Sequence, residues 1–221
     1  MRKILFISLF IVNSIVYGQS FTKLSIKIGP TLSGQIKSPK LFADGGNKLG
    51  LSGTVEPTIL TFGSKKQFDF NTDISYIQKG GFTYSPIYSY DLMGGQLIVI
   101  GSETYPVTIN YLSFSPTVKA KFWKVVFVKV GPRIDAFVNF KKQDKFSSDP
   151  RTSKDFNPIT FGTTYGIGIC TGKKRVKFMC EFIGQNDFTK SSYNKTSGQK
   201  YKNFCYFINF GVTITLIEHD E

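Results

Sequence analysis

Eight stretches of alternating apolar and polar residues run through this 221-residue chain, and the connectors between them are alternately long and short. The short connectors are residues 63–66, 122–124 and 171–175. The long ones are residues 32–48, 79–107, 141–156 and 190–202. Alternation at period two is the pattern of a strand with two different faces. A regular exchange of tight turns and large loops then predicts an up-and-down antiparallel sheet, with all its turns at one end and all its loops at the other.

The strands predicted from this pattern cover residues 23–31, 49–62, 67–78, 108–121, 125–140, 157–170, 176–189 and 203–216. Each has an apolar face: Leu24, Ile26 and Ile28 in the first, Leu51, Val55 and Ile59 in the second, Phe204, Tyr206, Ile208 and Phe210 in the last. The charged residues fall almost wholly on the opposite parity. Lys27, Glu56, Asp69, Asp73, Lys119, Lys121, Lys129, Arg133, Asp135, Lys177 and Glu181 all share it. Soluble sheets also alternate when one face is wet. These strands, however, are longer than the usual soluble strand and long enough for a tilted crossing of a bilayer. Basic side chains turned toward lipid would each cost about 2–4 kcal/mol near the midplane. Turned inward, six basic and five acidic side chains can pair across a narrow lumen.

The start of the chain agrees with export. Met1, Arg2 and Lys3 give a positive beginning, residues 4–15 are almost entirely apolar, and Val16-Tyr17-Gly18 precedes Gln19. This is the plan of a cleaved secretory signal over residues 1–18, leaving residues 19–221 as one domain. No later segment has the apolar length of a spanning helix. A closed ring of strands is the other way to satisfy every backbone group in hydrocarbon. The fold predicted is therefore all-β: an eight-stranded antiparallel up-and-down transmembrane barrel in a bacterial outer membrane.

The net charge is +13, or +11 once Arg2 and Lys3 leave with the signal. Such a balance invites a nucleic-acid reading. The lysines are scattered over turns, loops and strand faces of an exported chain, so no nucleic-acid partner is expected, and anionic lipid headgroups account for the charge equally well. The expected partners are outer-membrane lipid and lipopolysaccharide, with the chain a monomer. The connector 80–107 carries Tyr84, Tyr88, Tyr90 and Tyr105, an apolar run at 97–100 and a Gly94-Gly95 pair. It reads as a strand extension standing above the membrane and closed by a hairpin. Its tyrosines suit either a protein partner or the packing of loops.

Four strands are similar to those of the PorT-like outer-membrane β-barrel family: DFNTDISYIQKGG (69–81), YLSFSPTVKAKF (111–122), VKVGPRIDAFVNFKK (128–142) and FGTTYGIGI (161–169), the last in its glycine spacing. The resemblance covers most of residues 19–221. It implies an eight-stranded outer-membrane barrel with no enzymatic residues to transfer. The namesake of the family is associated with a protein secretion system. One departure is the end of the chain, Leu216-Ile217-Glu218-His219-Asp220-Glu221, where such barrels often finish on an aromatic residue. The assembly signal is then expected upstream, around residues 206–210.

Chemistry is sparse. The single histidine, His219, lies on the polar tail, where a hydrolytic base cannot be held on a barrel wall. Asp69 and Asp73 share a face four residues apart but sit among lysines, which favours charge pairing over acid–base work. Cys170 and Cys205 share one parity and Cys180 the other; they are expected as small buried residues without a bridge. No CxxC or His/Cys cluster suggests a metal. No catalytic, cofactor-binding or metal site is assigned, and the protein is expected not to be an enzyme. Aromatics near strand ends (Tyr76, Phe82, Tyr111, Phe140, Phe161, Phe188, Tyr206) suit either interfacial girdles or ordinary packing. Two alternatives stay open: an accessory factor in secretion or envelope assembly, and a soluble periplasmic lipocalin-like carrier, the latter suggested by a mean hydropathy of −0.08.

Overall fold

The computed structural model describes residues 22–38, 46–63, 66–91, 96–122, 125–142, 153–173, 175–193 and 200–216. The expected signal peptide, most of the tail with His219, and the Gly94-Gly95 turn lie outside these residues. The strands are β1 (Lys23–Ser38), β2 (Lys48–Phe62), β3 (Phe68–Asp91), β4 (Gln96–Phe122), β5 (Val126–Lys142), β6 (Ile159–Lys173), β7 (Val176–Asp187), a two-residue β8 (Ser192–Tyr193) and β9 (Lys200–Thr215). Each long strand pairs antiparallel with the next, and β1 also pairs with β9 from Lys23↔Thr215 to Ser38↔Lys200. The sheet is thus a closed eight-stranded barrel, with β8 added at the loop end of β9.

Alternation fixes which side chains face inward, because successive residues of a strand point to opposite sides. On β1, Ser25, Lys27 and Thr31 are buried, while Ile26 and Ile28 are more than half exposed. The same division holds round the ring. Leu51, Val55, Phe114, Val130, Ile167, Phe178 and Phe210 are exposed, and Glu56, Asp73, Lys119, Lys129, Asp135 and Glu181 are buried. The polar side is the interior, as the parity of the charges predicts.

Three features differ from the sequence reading. β1 does not stop at residue 31: Leu32 and Ile36 stay outward, and the strand continues to Ser38 against the loop end of β9. Gly34 interrupts the apolar face and disguises this continuation. In β2 the register slips between Thr58 and Leu60. Ile59 sits in the bulge, and the outward positions beyond it are Leu60 and Phe62. A bulge inserts one residue and so reverses the parity after it. Finally, β8 forms inside the connector 190–202.

The expected extension over residues 80–107 is present. β3 and β4 pair from Gly80↔Thr108 to Ile87↔Gly101 and, after a bulge at Ile100, from Tyr88↔Val99 on to Asp91↔Gln96. This makes the longest hairpin of the described residues.

Candidate functional site

Ionisable side chains fill the lumen in three layers. Each strand contributes from a fixed height, since β1, β3, β5 and β7 start at the turn end and the intervening strands return to it. At the turn end Asp69 of β3 takes Lys23 at 3.1 Å and Lys121 at 2.7 Å. Thr61, brought inward by the bulge in β2, donates to the same carboxylate at 2.7 Å.

The middle layer is the densest. Glu56 accepts from Lys27 at 2.7 Å, Lys119 at 2.5 Å and Lys129 at 3.3 Å. Glu181 accepts from Lys27 at 2.8 Å and lies 3.2 Å from Lys129, and Asn209 donates to it at 3.1 Å. Asp73 lies 2.8 Å from Lys129 and 3.7 Å from Lys27. Lys119 and Lys129 are direct cross-strand neighbours. Like charges in that position repel, and Glu56, reaching across the lumen from β2, pairs with both and offsets that repulsion. Three lysines thus face three carboxylates. The side chains of Lys27, Glu56 and Glu181 are 0% exposed, so no open path passes between them.

The third layer, nearer the loops, is also balanced. Lys79 lies 2.6 Å from Asp135, and Arg133 Nε lies 3.0 Å from Asp135. Arg133 also donates to Asp187, which accepts the backbone N–H of Asn203 at 3.1 Å. β6 makes room here and below by presenting Gly162, Gly166 and Gly168. Cβ atoms at these positions would collide with Arg133, Ile183 and Phe127 respectively.

Above the charges an apolar cap lies on the β4–β5 side of the lumen. Val107, Ile109, Tyr111 and Phe156 are buried together, with Phe137 and Phe140 packed against them. Phe156 follows a short 3-10 turn (Ser153–Asp155) and stacks on Phe137 at 5.1 Å between ring centroids. It also bridges to Ser192. The Tyr111 hydroxyl accepts from Asn203 at 3.1 Å. Of the aromatics expected near strand ends, Tyr76, Phe161 and Phe188 are exposed on the outside, whereas Tyr111 is wholly internal. Tyr111 shares the parity of Ser113 and Lys119, which marks it as inward.

All eleven charged residues assigned to the lumen by parity sit on its face. Parity reasoning missed Lys23, Lys79 and Asp187. Lys79 and Asp187 lie at odd positions in line with Asp73 and Glu181, but Lys79 opens the long connector 79–107 and so falls outside the predicted strand. Of the cysteines, Cys205 is buried and Cys170 and Cys180 are half-buried; all three are free. One sequence signal emerges only with the fold. Lys27-Ile28-Gly29-Pro30 on β1 recurs as Lys129-Val130-Gly131-Pro132 on β5, half the ring away. Lys27 and Lys129 are the two lysines that bridge Glu56, Asp73 and Glu181.

A closed sheet that is apolar outside and charged inside is a membrane-spanning β-barrel. Eight strands enclose a space its own side chains can fill, and the exposed belt belongs in hydrocarbon. Among solved structures, the chain is similar to Neisserial surface protein A (NspA), with a TM-score of 0.48 and 12% identity over 87% of this chain and 97% of the other. It is also similar to Ail, the attachment invasion locus protein of Yersinia pestis, with a TM-score of 0.42 and 12% identity over 88% and 100%. A major outer membrane protein from Thermus thermophilus gives a TM-score of 0.42 and 11% identity over 86% and 98%. No protein-family model and no curated protein matches the chain.

Proposed function

We propose that this protein is a sealed, non-enzymatic β-barrel of the bacterial outer membrane, of the PorT-like kind, which acts structurally or by presenting its loops to a protein partner. The observation that carries this reading is the mutual neutralisation of the middle and loop-side layers of the lumen. The middle layer sets three lysines against three carboxylates, and the third sets Lys79 and Arg133 against Asp135 and Asp187. Groups bound in this way hold the wall together; they are not free to act as acid, base or nucleophile. A soluble carrier would need the reverse arrangement, an apolar lumen and a polar exterior. The exposed belt is suited to lipid and lipopolysaccharide, and a monomer has no unpaired barrel edge, because β1 meets β9.

With a cleaved signal and the usual insertion of such barrels, the short turns face the periplasm and the β3–β4 hairpin stands outside the cell. Outer-membrane fractionation with heat-modifiable gel migration tests the reading. The expected result is a band in the outer-membrane fraction that migrates faster unheated than boiled. Release of the protein without detergent would sink it.

A second reading, an accessory factor in secretion or envelope assembly, is favoured by that hairpin, whose paired length exceeds what a membrane crossing requires. Normal secretion of every exported cargo in a deletion strain would count against it.

A further inference from the structure

The three lumen layers differ in one respect. The middle and loop-side layers balance their charges, whereas the turn-side layer does not. There a cavity of about 80 Å³ is lined by Lys23, Lys121 and Lys177 with Asp69 as their one carboxylate. Lys119 also reaches this cavity but is bound to Glu56. Lys23 and Lys121 share Asp69. Lys177, which stands opposite Thr213 on β9, has no anionic partner among the described residues. Two positive charges are therefore left over in a mouth partly shielded from water. The sequence adds to the surplus. The three short connectors at this end carry Lys65, Lys66, Lys124, Lys173 and Lys174 and no acidic residue.

We propose that this turn-side mouth binds a phosphate-type oxyanion, either a free phosphate or the phosphate of a lipid headgroup, held by Lys121 and Lys177. A half-buried surplus of ammonium groups is stabilised by an anion that accepts charge-assisted hydrogen bonds. The side chain of Lys121 is 32% exposed and that of Lys23 is 21% exposed, so the donors are accessible from the turn end. The cavity matches one tetrahedral anion rather than a large ligand. Val126, Phe127 and Met179 give it an apolar side, which suits the ester carbon of a headgroup. The ring of basic turns raises the local concentration of anions at the mouth. The lipid source depends on the membrane reading above; the binding of free phosphate does not.

The test uses the full chain folded in octyl glucoside, a detergent without phosphate, with folding followed by heat-modifiable migration. Inorganic phosphate is titrated calorimetrically into the wild type, Lys121→Gln, Lys177→Gln and, as a loop-side control, Lys190→Gln. In a parallel arm, native mass spectrometry scores retention of added phosphatidylglycerol. The expected result is saturable phosphate binding that weakens at least about ten-fold on loss of one charged donor and is unchanged in the control. Retention of phosphatidylglycerol with the same dependence, but no binding of free phosphate, would also support the site and assign the lipid as its source. Lys177, unlike Lys121, makes no ion pair among the described residues, so the Lys177→Gln variant carries the test even where Lys121→Gln fails to fold. Binding of neither probe, or binding insensitive to both substitutions, overturns the proposal. Binding that appears only after Glu218, Asp220 and Glu221 are changed to Gln would also overturn it, by giving the mouth to the chain's own acidic tail.

Discussion

Glu56 shows how much one residue carries in this lumen. It accepts from three lysines on three different strands and is wholly buried. Removing one partner of a buried ion network leaves the others charged and unpaired, which costs about 3–5 kcal/mol. Glu56→Gln is therefore expected to destabilise the barrel by about that much, read as a lower urea midpoint in a gel-shift assay of the folded band. Adding Lys119→Met should recover part of the loss, because it removes the cation that depends most on Glu56. An unchanged midpoint in the single variant would show that Glu56 is hydrated rather than ion-paired. The inward placement of Glu56 was legible from parity alone. Its partners were not. Lys27 and Glu56 lie on neighbouring strands, but Lys119 and Lys129 come from across the ring, and the stagger that brings them level is a property of the closed barrel. Lys79 was hidden for a simpler reason: it stands at the edge of a long connector, where the pattern marks no strand and hence no lumen.

At the scale of the strand, the recurrent Gly-Pro pairs mark where the ladder opens. Pairing of β1 with β9 lapses between Ile28↔Phe210 and Thr31↔Phe207, and pairing of β4 with β5 lapses between Phe114↔Ile134 and Val118↔Val130. Proline has no N–H to give the ladder, and glycine admits a close backbone approach. A Cβ on Gly29 would lie 1.8 Å from the Ile208 carbonyl oxygen, and one on Gly131 would lie 2.0 Å from that of Pro116. Gly29→Ala and Gly131→Ala should each destabilise the barrel by about 1–3 kcal/mol, the usual cost of forcing a group into filled space. Equal stability in the same urea assay would mean that the strands part at no cost. The extended hairpin behaves in the opposite way. Beyond Phe82, whose N–H bonds the Gly46 carbonyl, β3 and β4 pair only with each other among the described residues. Replacing residues 84–104 by a short turn should leave heat-modifiable migration intact and shift the urea midpoint little. Loss of the folded band would show that the hairpin is part of the barrel wall. Alternation made the barrel strands visible, and the Gly94-Gly95 pair with the apolar run at 97–100 made the hairpin visible. It failed at Ile59 and after residue 31, where a bulge and a glycine break the period without ending the strand.

For the whole molecule, the arrangement of layers decides whether anything passes through. The apolar cap around Phe156 covers the β4–β5 side of the loop end, and the middle layer packs the cross-section with side chains that are at most 7% exposed. These are two barriers in series, built from different forces. The cap depends on apolar packing, with Phe156 stacked on Phe137 and tilted against Phe140. The middle layer depends on ion pairs between opposite walls, which cannot slide aside without leaving a buried charge unpaired. Purified protein in a planar bilayer is therefore expected to give no stable nanosiemens openings. Phe156→Ala should still give none, because opening the cap leaves Lys27, Glu56, Lys129 and Glu181 in place. Steady openings in the wild type would refute the sealed lumen. Openings confined to Phe156→Ala would place the single effective seal in the cap and make the charge layer a hydrated path. An eight-stranded ring leaves little space either way, so the difference between a plugged barrel and a narrow conduit rests on whether three lysines and three carboxylates stay paired.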